Sequence, residues 1–126
     1  MNIFQLQETL VKTTKILAGK NLPVHLEGFA PRVEYDSKTK QPTRIFIPAV
    51  TEDVPAKLID AIQGYIDHEC SHIAFSDGDD ICDSTKSKLW HYVHNCIEDP
   101  RVNKEMGIRY PGAKKNIKRG YDFLFT

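Results

Sequence analysis

The sequence predicts an α+β domain. Three observations carry this. Apolar residues recur at helical spacing before residue 19 and again after residue 54, and the stretch between them is rich in strand formers broken by turn residues. The length of 126 residues with 40% hydrophobic content makes one modest core rather than two, so the chain reads as a single domain over 1–126. The expected order is an N-terminal helix, a small sheet of about three strands, a long central helix and a further helix behind it.

Phe4, Leu6, Leu10, Val11 and Leu17 fall near one face of a helix over residues 3–18, and Gly19 follows where helices commonly end in the left-handed conformation. After Pro23, segments 24–29, 32–35 and 43–47 suit strands, residues 36–40 read as a polar hairpin loop, and Pro48 ends the last strand. Leu58, Ile59, Ile62, Ile66, Ile73 and Phe75 return to helical spacing across 54–75, with Asp53 as the expected cap and Pro55 near the first turn. A loop at 76–80 leads to helical spacing over 84–98 through Leu89, Trp90, Val93 and Ile97. Pro100 is expected to kink or restart that helix, because it has no N–H to donate. Tyr110-Pro111-Gly112 reads as a turn, and 113–119 as a short helix.

Seventeen basic residues cancel seventeen acidic ones, so no global field favours nucleic acid or a membrane surface. The charges are nevertheless segregated: residues 51–100 are net −8 and residues 101–126 net +5. No apolar run is long enough to span a membrane, and the N-terminus lacks the charged-then-apolar order of a signal peptide. Three cysteines cannot all pair, and free thiols in a cytoplasmic protein are the expectation, with Cys70 and Cys96 both buried.

Within the central helix stands His68-Glu69-Cys70-Ser71-His72, an H-E-x-x-H pattern. Its spacing of four sets both imidazoles on one helix face, where two nitrogens can meet one zinc ion. Glu69 sits beside the first histidine and can take a proton from a metal-activated water without binding the metal itself. The competing reading is an exposed histidine pair on an ordinary amphipathic helix. A third protein ligand must come from downstream, and the candidates are His91, His94, Glu98 and Asp99. Glu98, 26 residues after His72, would complete a His-His-Glu set with one position open. His94 shares the face of Glu98 and could be a ligand, a donor to an oxyanion, or a bystander. Asp99 before Pro100 could cap a restarted helix, or hold a ligand histidine through its other ring nitrogen.

Three motifs in order, Asp67-His68-Glu69-Cys70-Ser71-His72, then Asn95-Cys96-Ile97-Glu98-Asp99-Pro100-Arg101, then Tyr110-Pro111-Gly112-Ala113, resemble the N-terminal region of T-type aerobic cobaltochelatase subunits and their phage-encoded, peptidase-like relatives. The resemblance covers roughly residues 64 to 117. More broadly the chain looks like a zincin whose third ligand is a glutamate. The resemblance implies a backing helix, a small sheet whose edge strand receives extended substrate, the motif helix, and a following helix that supplies Glu98. Pro100 departs from the family pattern, which usually has an apolar residue between Asp and Arg. The larger relatives also carry a von Willebrand A-type domain downstream, so a further domain or a partner chain is compatible with this sequence.

Other features have plainer readings. Asp77, Asp79, Asp80 and Asp83 do not complete a calcium loop and read as a solvated connection with capping carboxylates. The basic C-terminal stretch lacks clustered aromatics, so nucleic acid is not an expected partner. Gly64, one turn before His68, either leaves room for substrate or eases helix packing. The sequence as a whole points to a zinc metallopeptidase acting on a peptide or protein. His68, His72 and Glu98 hold the metal in this reading, Glu69 is the general base, and His94, Tyr110 or Arg101 supplies the oxyanion donor. The alternative is a noncatalytic, metal-bound interaction module.

Overall fold

The computed structural model describes residues 2–50 and 54–125. The first helix, α1 (Ile3–Ala18), is fixed at both ends by its sequence. Asn2 accepts from the Gln5 amide while its own N–H donates to the Gln5 side chain, and Gly19 closes the helix at φ 69°. Leu6 and Leu10 face the core as expected, whereas Phe4 points to solvent.

Three strands follow: β1 (Val24–Leu26), β2 (Arg32–Tyr35) and β3 (Pro42–Ile47). The sheet order is β1-β3-β2, with β1 parallel and β2 antiparallel to β3. The expected hairpin therefore forms between β2 and β3, where Asp36 Oδ1 accepts from the Lys38 and Thr39 amides to shape the turn. β1 is shorter than the 24–29 segment because Gly28 turns the chain at φ 84°. Among the described residues β2 pairs only with β3, so its other side is a free edge.

The central helix α2 (Ala56–Phe75) packs against α1, against the sheet and against both later helices. Ile62, Ile66 and Cys70 are fully buried in it, which explains the apolar run that marked it in the sequence. Pro55 stands at its N-cap without a side-chain hydrogen bond, and Asp53, the expected cap, lies outside the described residues. A single turn, α3 (Gly78–Ile81), is capped by Asp77, which accepts from the Asp79 amide. Asp83 likewise accepts from the Thr85 amide, so the acidic loop does spend carboxylates on backbone donors.

The helix expected over 84–98 starts later and runs further, as α4 (Lys88–Arg109). Ser87 caps it by accepting from the Trp90 amide, and Pro100 lies inside it rather than breaking it. Pro100 and Cys96, whose carbonyl loses its helical donor, are both on the exposed side, where water can take the missing bond. Cys96 is thus an exposed thiol, contrary to expectation, while Cys70 is buried. The last helix, α5 (Pro111–Phe125), is about twice the expected length and lies along α2. At their crossing a Cβ on Gly64 would stand 2.1 Å from the Asn116 carbonyl oxygen, so Gly64 serves helix packing. Among the described residues no helix is long and apolar enough to cross a membrane.

Candidate metal centre

His68 and His72, one turn apart on α2, face α4. With Asp99 they form a group whose ligand atoms all lie within 4.8 Å of one another. Asp99 Oδ1 stands 2.8 Å from Nε2 of His72 and 3.5 Å from Nε2 of His68. These separations bracket the roughly 3.3 Å between ligand atoms around a tetrahedral ion with bonds of about 2.0 to 2.1 Å.

The outer ring nitrogens decide what the inner ones can do. Nδ1 of His68 lies 2.7 Å from Oδ1 of Asn103, an amide oxygen that can only accept, so this nitrogen carries the proton. Nδ1 of His72 lies 3.2 Å from Oγ of Ser76. The one Ser76 hydroxyl proton goes to Glu98 Oε2 at 2.9 Å, which leaves Oγ to accept from His72. Both Nδ1 atoms therefore donate, and both Nε2 atoms turn toward Asp99, where a cation would take the place of the hydrogen that joins each ring to the carboxylate. Partners on the far nitrogen of a metal-binding histidine fix its tautomer and ring angle in just this way.

Glu98, the expected third ligand, is not in the group. Successive helix residues point about 100° apart, so an unbroken α4 can aim only one of Glu98 and Asp99 at the histidines. Glu98 instead accepts from Arg101 at 2.7 and 2.8 Å and from Ser76. Arg101 also donates to the Phe75 carbonyl at 2.7 Å, tying α4 to the C-terminal turn of α2. The Glu-Asp-x-Arg stretch thus divides its labour: Asp99 faces the histidines, while Glu98 and Arg101 lock the two helices together.

Charge in the site follows burial and pairing. Burial is the largest influence on Asp99 and pushes its carboxyl upward, but the two histidines outweigh it and hold it well below the ordinary range. His68 is pushed down by burial, yet the Asp99 hydrogen bond and the Glu69 charge carry it above its usual value. Arg101, with Ser76 adding to it, lowers Glu98 to about 2. Burial raises Glu69, against the opposing pull of both histidines. Among the described residues Glu69 makes no side-chain hydrogen bond, and it lines the two cavities that flank the histidines, of about 220 and 340 Å³.

His94 and Tyr110 stand elsewhere. The His94 ring stacks on Trp90 at 4.9 Å between centroids, and His91 bonds the Asp83 carbonyl. Tyr110 reaches the Ile16 carbonyl on α1, and neither His94 nor Tyr110 lines a cavity at the histidines. A different tyrosine does: Tyr35, on β2, lines the larger cavity with His68, Glu69, His72 and Asp99. Its hydroxyl is buried without a hydrogen-bond partner among the described residues, and burial together with the Glu69 charge raises its pKa strongly. Asn103, Ser76 and Tyr35 were not singled out in the sequence. Ser76 follows His72, and Asn103 follows Asp99, by four residues, and that helical spacing was the available signal.

Comparison with protein-family models, with curated proteins and with solved structures gives no match.

Proposed function

We propose that this chain is a zinc-dependent peptide-bond hydrolase in which His68, His72 and Asp99 hold the metal and Glu69 is the general base. The observation that carries the reading is the convergence of two histidine Nε2 atoms on Asp99 Oδ1 with both Nδ1 atoms engaged elsewhere. A nitrogen, nitrogen, oxygen donor set with a position left open suits zinc. Zinc bound there supplies Lewis acidity, polarising a substrate carbonyl and making a water more acidic.

The chain's own residues do the rest. Glu69, raised by burial, accepts a proton from the attacking water and returns it to the leaving amine. The free edge of β2 offers backbone groups to an extended peptide, which would lie across the cavity that Tyr35 lines. The Tyr35 hydroxyl takes the oxyanion role that the sequence assigned to His94, Tyr110 or Arg101. All three cysteines are free thiols, which suits a reducing compartment such as the cytoplasm.

A second reading, a noncatalytic metal-bound interaction module, draws support from Leu89, Tyr92, Val93 and Ile97, which are exposed along the first half of α4. Turnover separates the two. Zinc-loaded protein is expected to cleave members of a quenched-fluorescent peptide pool, and Glu69→Gln to lower the rate roughly 10²- to 10⁴-fold with zinc retained. Undiminished cleavage by zinc-loaded Glu69→Gln would overturn the assigned role, and a wild type without turnover would favour the module.

A further inference from the structure

The cavity of about 220 Å³ beside Glu69 differs in character from its larger neighbour. The two share Pro31, His68, Glu69 and Asp99, so they adjoin one another at the histidine and carboxylate group. The larger one is bounded by polar groups such as Arg32 and Asn95 and by the edge strand. The smaller one is walled by Tyr65, Ile117 and Tyr121, with Gly64 and Gly120 at the helix crossing. Its walls therefore present mostly carbon, and its charged lining, Glu69 and Asp99, stands with His68.

Size and chemistry limit what can enter. A dry apolar cavity of roughly 150 Å³ is large enough for benzene, so this one admits a single aromatic or branched aliphatic side chain and little more. A carboxylate would meet Glu69 and Asp99 in the lining, and an ammonium would lose its water among apolar walls. Phe29, two residues before Pro31, is fully exposed on the loop leading into β2. We infer that the substrate is an extended peptide whose uncharged apolar side chain, aliphatic or aromatic, seats between α2 and α5 next to the bond attacked, with Tyr121 the residue that selects it.

This inference rests on the hydrolase reading, and its test keeps the two apart. Tyr121 is partly exposed near the end of α5 and its ring meets His68 edge-on at 6.1 Å between centroids, so the zinc content of each variant is measured before its preferences are compared. The Tyr121 hydroxyl accepts from Asn103 Nδ2 at 3.3 Å, so Tyr121→Phe removes that bond while keeping the wall, and Tyr121→Ala removes both. Quenched-fluorescent peptides with one position varied among Leu, Phe, Gly, Asp and Lys are assayed with zinc-loaded wild type and both variants. The same peptides, labelled, are titrated onto zinc-loaded Glu69→Gln by fluorescence anisotropy. At one position next to the cleaved bond, Leu and Phe should exceed Gly, Asp and Lys in kcat/KM by roughly tenfold or more. Tyr121→Phe should keep that preference and Tyr121→Ala should flatten it, with preferences at other positions unchanged. Absence of the preference, a preference for Asp or Lys, or a preference that survives Tyr121→Ala would overturn the inference. Should wild type cleave nothing, the hydrolase reading fails and anisotropy decides the pocket: tighter binding of Leu and Phe peptides supports it, equal binding overturns it.

Discussion

Asp99 Oδ1 lies 2.8 Å from Nε2 of His72, although 27 residues separate the two in sequence. The contact exists because α4 passes Pro100 unbroken and turns Asp99, not Glu98, toward α2. It makes one carboxylate the meeting point of two imidazoles whose other nitrogens are already engaged.

Those outer partners should matter to the metal without touching it. Asn103→Ala and Ser76→Ala each free one histidine ring, and each is expected to weaken zinc by roughly 10- to 100-fold while leaving one ion per chain. Competition against a chromophoric chelator measures this. Unchanged affinity in both variants would mean that the tautomers are set by something else.

The buried Tyr35 hydroxyl should cost the fold stability. A buried hydroxyl without a partner costs about 1–3 kcal/mol, so Tyr35→Phe should raise the unfolding free energy measured in urea. If the hydroxyl meets the oxyanion, the same variant should lose turnover, roughly 10²- to 10³-fold for one missing donor. A variant less stable than wild type would show that the hydroxyl already has a partner in the folded protein.

Asp67, next to His68, carries a pH signature of its own. Burial raises its carboxyl to about 6, and the Asn116 hydrogen bond, at 2.9 Å to Oδ2, only partly offsets this. Its Oδ1 is buried without a partner among the described residues. A group whose folded pKa lies above its unfolded value of about 3.9 favours folding fully below that value, and the benefit is lost as pH rises through about 6. Metal-free wild type should therefore lose on the order of 2–3 kcal/mol from this group between pH 4 and pH 7, and Asp67→Asn should not. Urea unfolding at both pH values in chelator checks it. Equal pH dependence in the two proteins would place the titration elsewhere.

Much of this arrangement is legible in the sequence, and the misses have physical causes. Helical periodicity with buried Ile62 and Ile66 locates α2, and the i, i+4 spacing alone sets the histidine rings on one face. Strand-forming residues around the 36–40 turn gave the β2–β3 pairing, while the parallel return of β1 beside β3 has no local signal because it depends on where α1 packs. The carboxylate that meets the histidines stands one residue beyond the expected Glu98. Pro100 suggested a helix break, a break would have freed Asp99 as a cap, and only the continuity of α4 fixes which of two adjacent carboxylates faces inward. His94 and Tyr110 were expected near the chemistry on helical phase and motif alone. Phase cannot show that Trp90 takes the His94 ring, or that Tyr110 turns toward α1. Tyr35 comes from a strand 33 residues before His68, a distance that tertiary packing closes and pattern does not.

The central claim is that His68, His72 and Asp99 bind one zinc ion. Its most direct test is zinc titration, by chelator competition at pH 7.5, of wild type, Asp99→Ala and Glu98→Ala side by side. One ion per wild-type chain is expected. Asp99→Ala should lose far more affinity than the roughly 10- to 100-fold that a supporting residue costs, and Glu98→Ala should stay within that range. Wild type that takes up no zinc, or Glu98→Ala losing more than Asp99→Ala, would contradict the account.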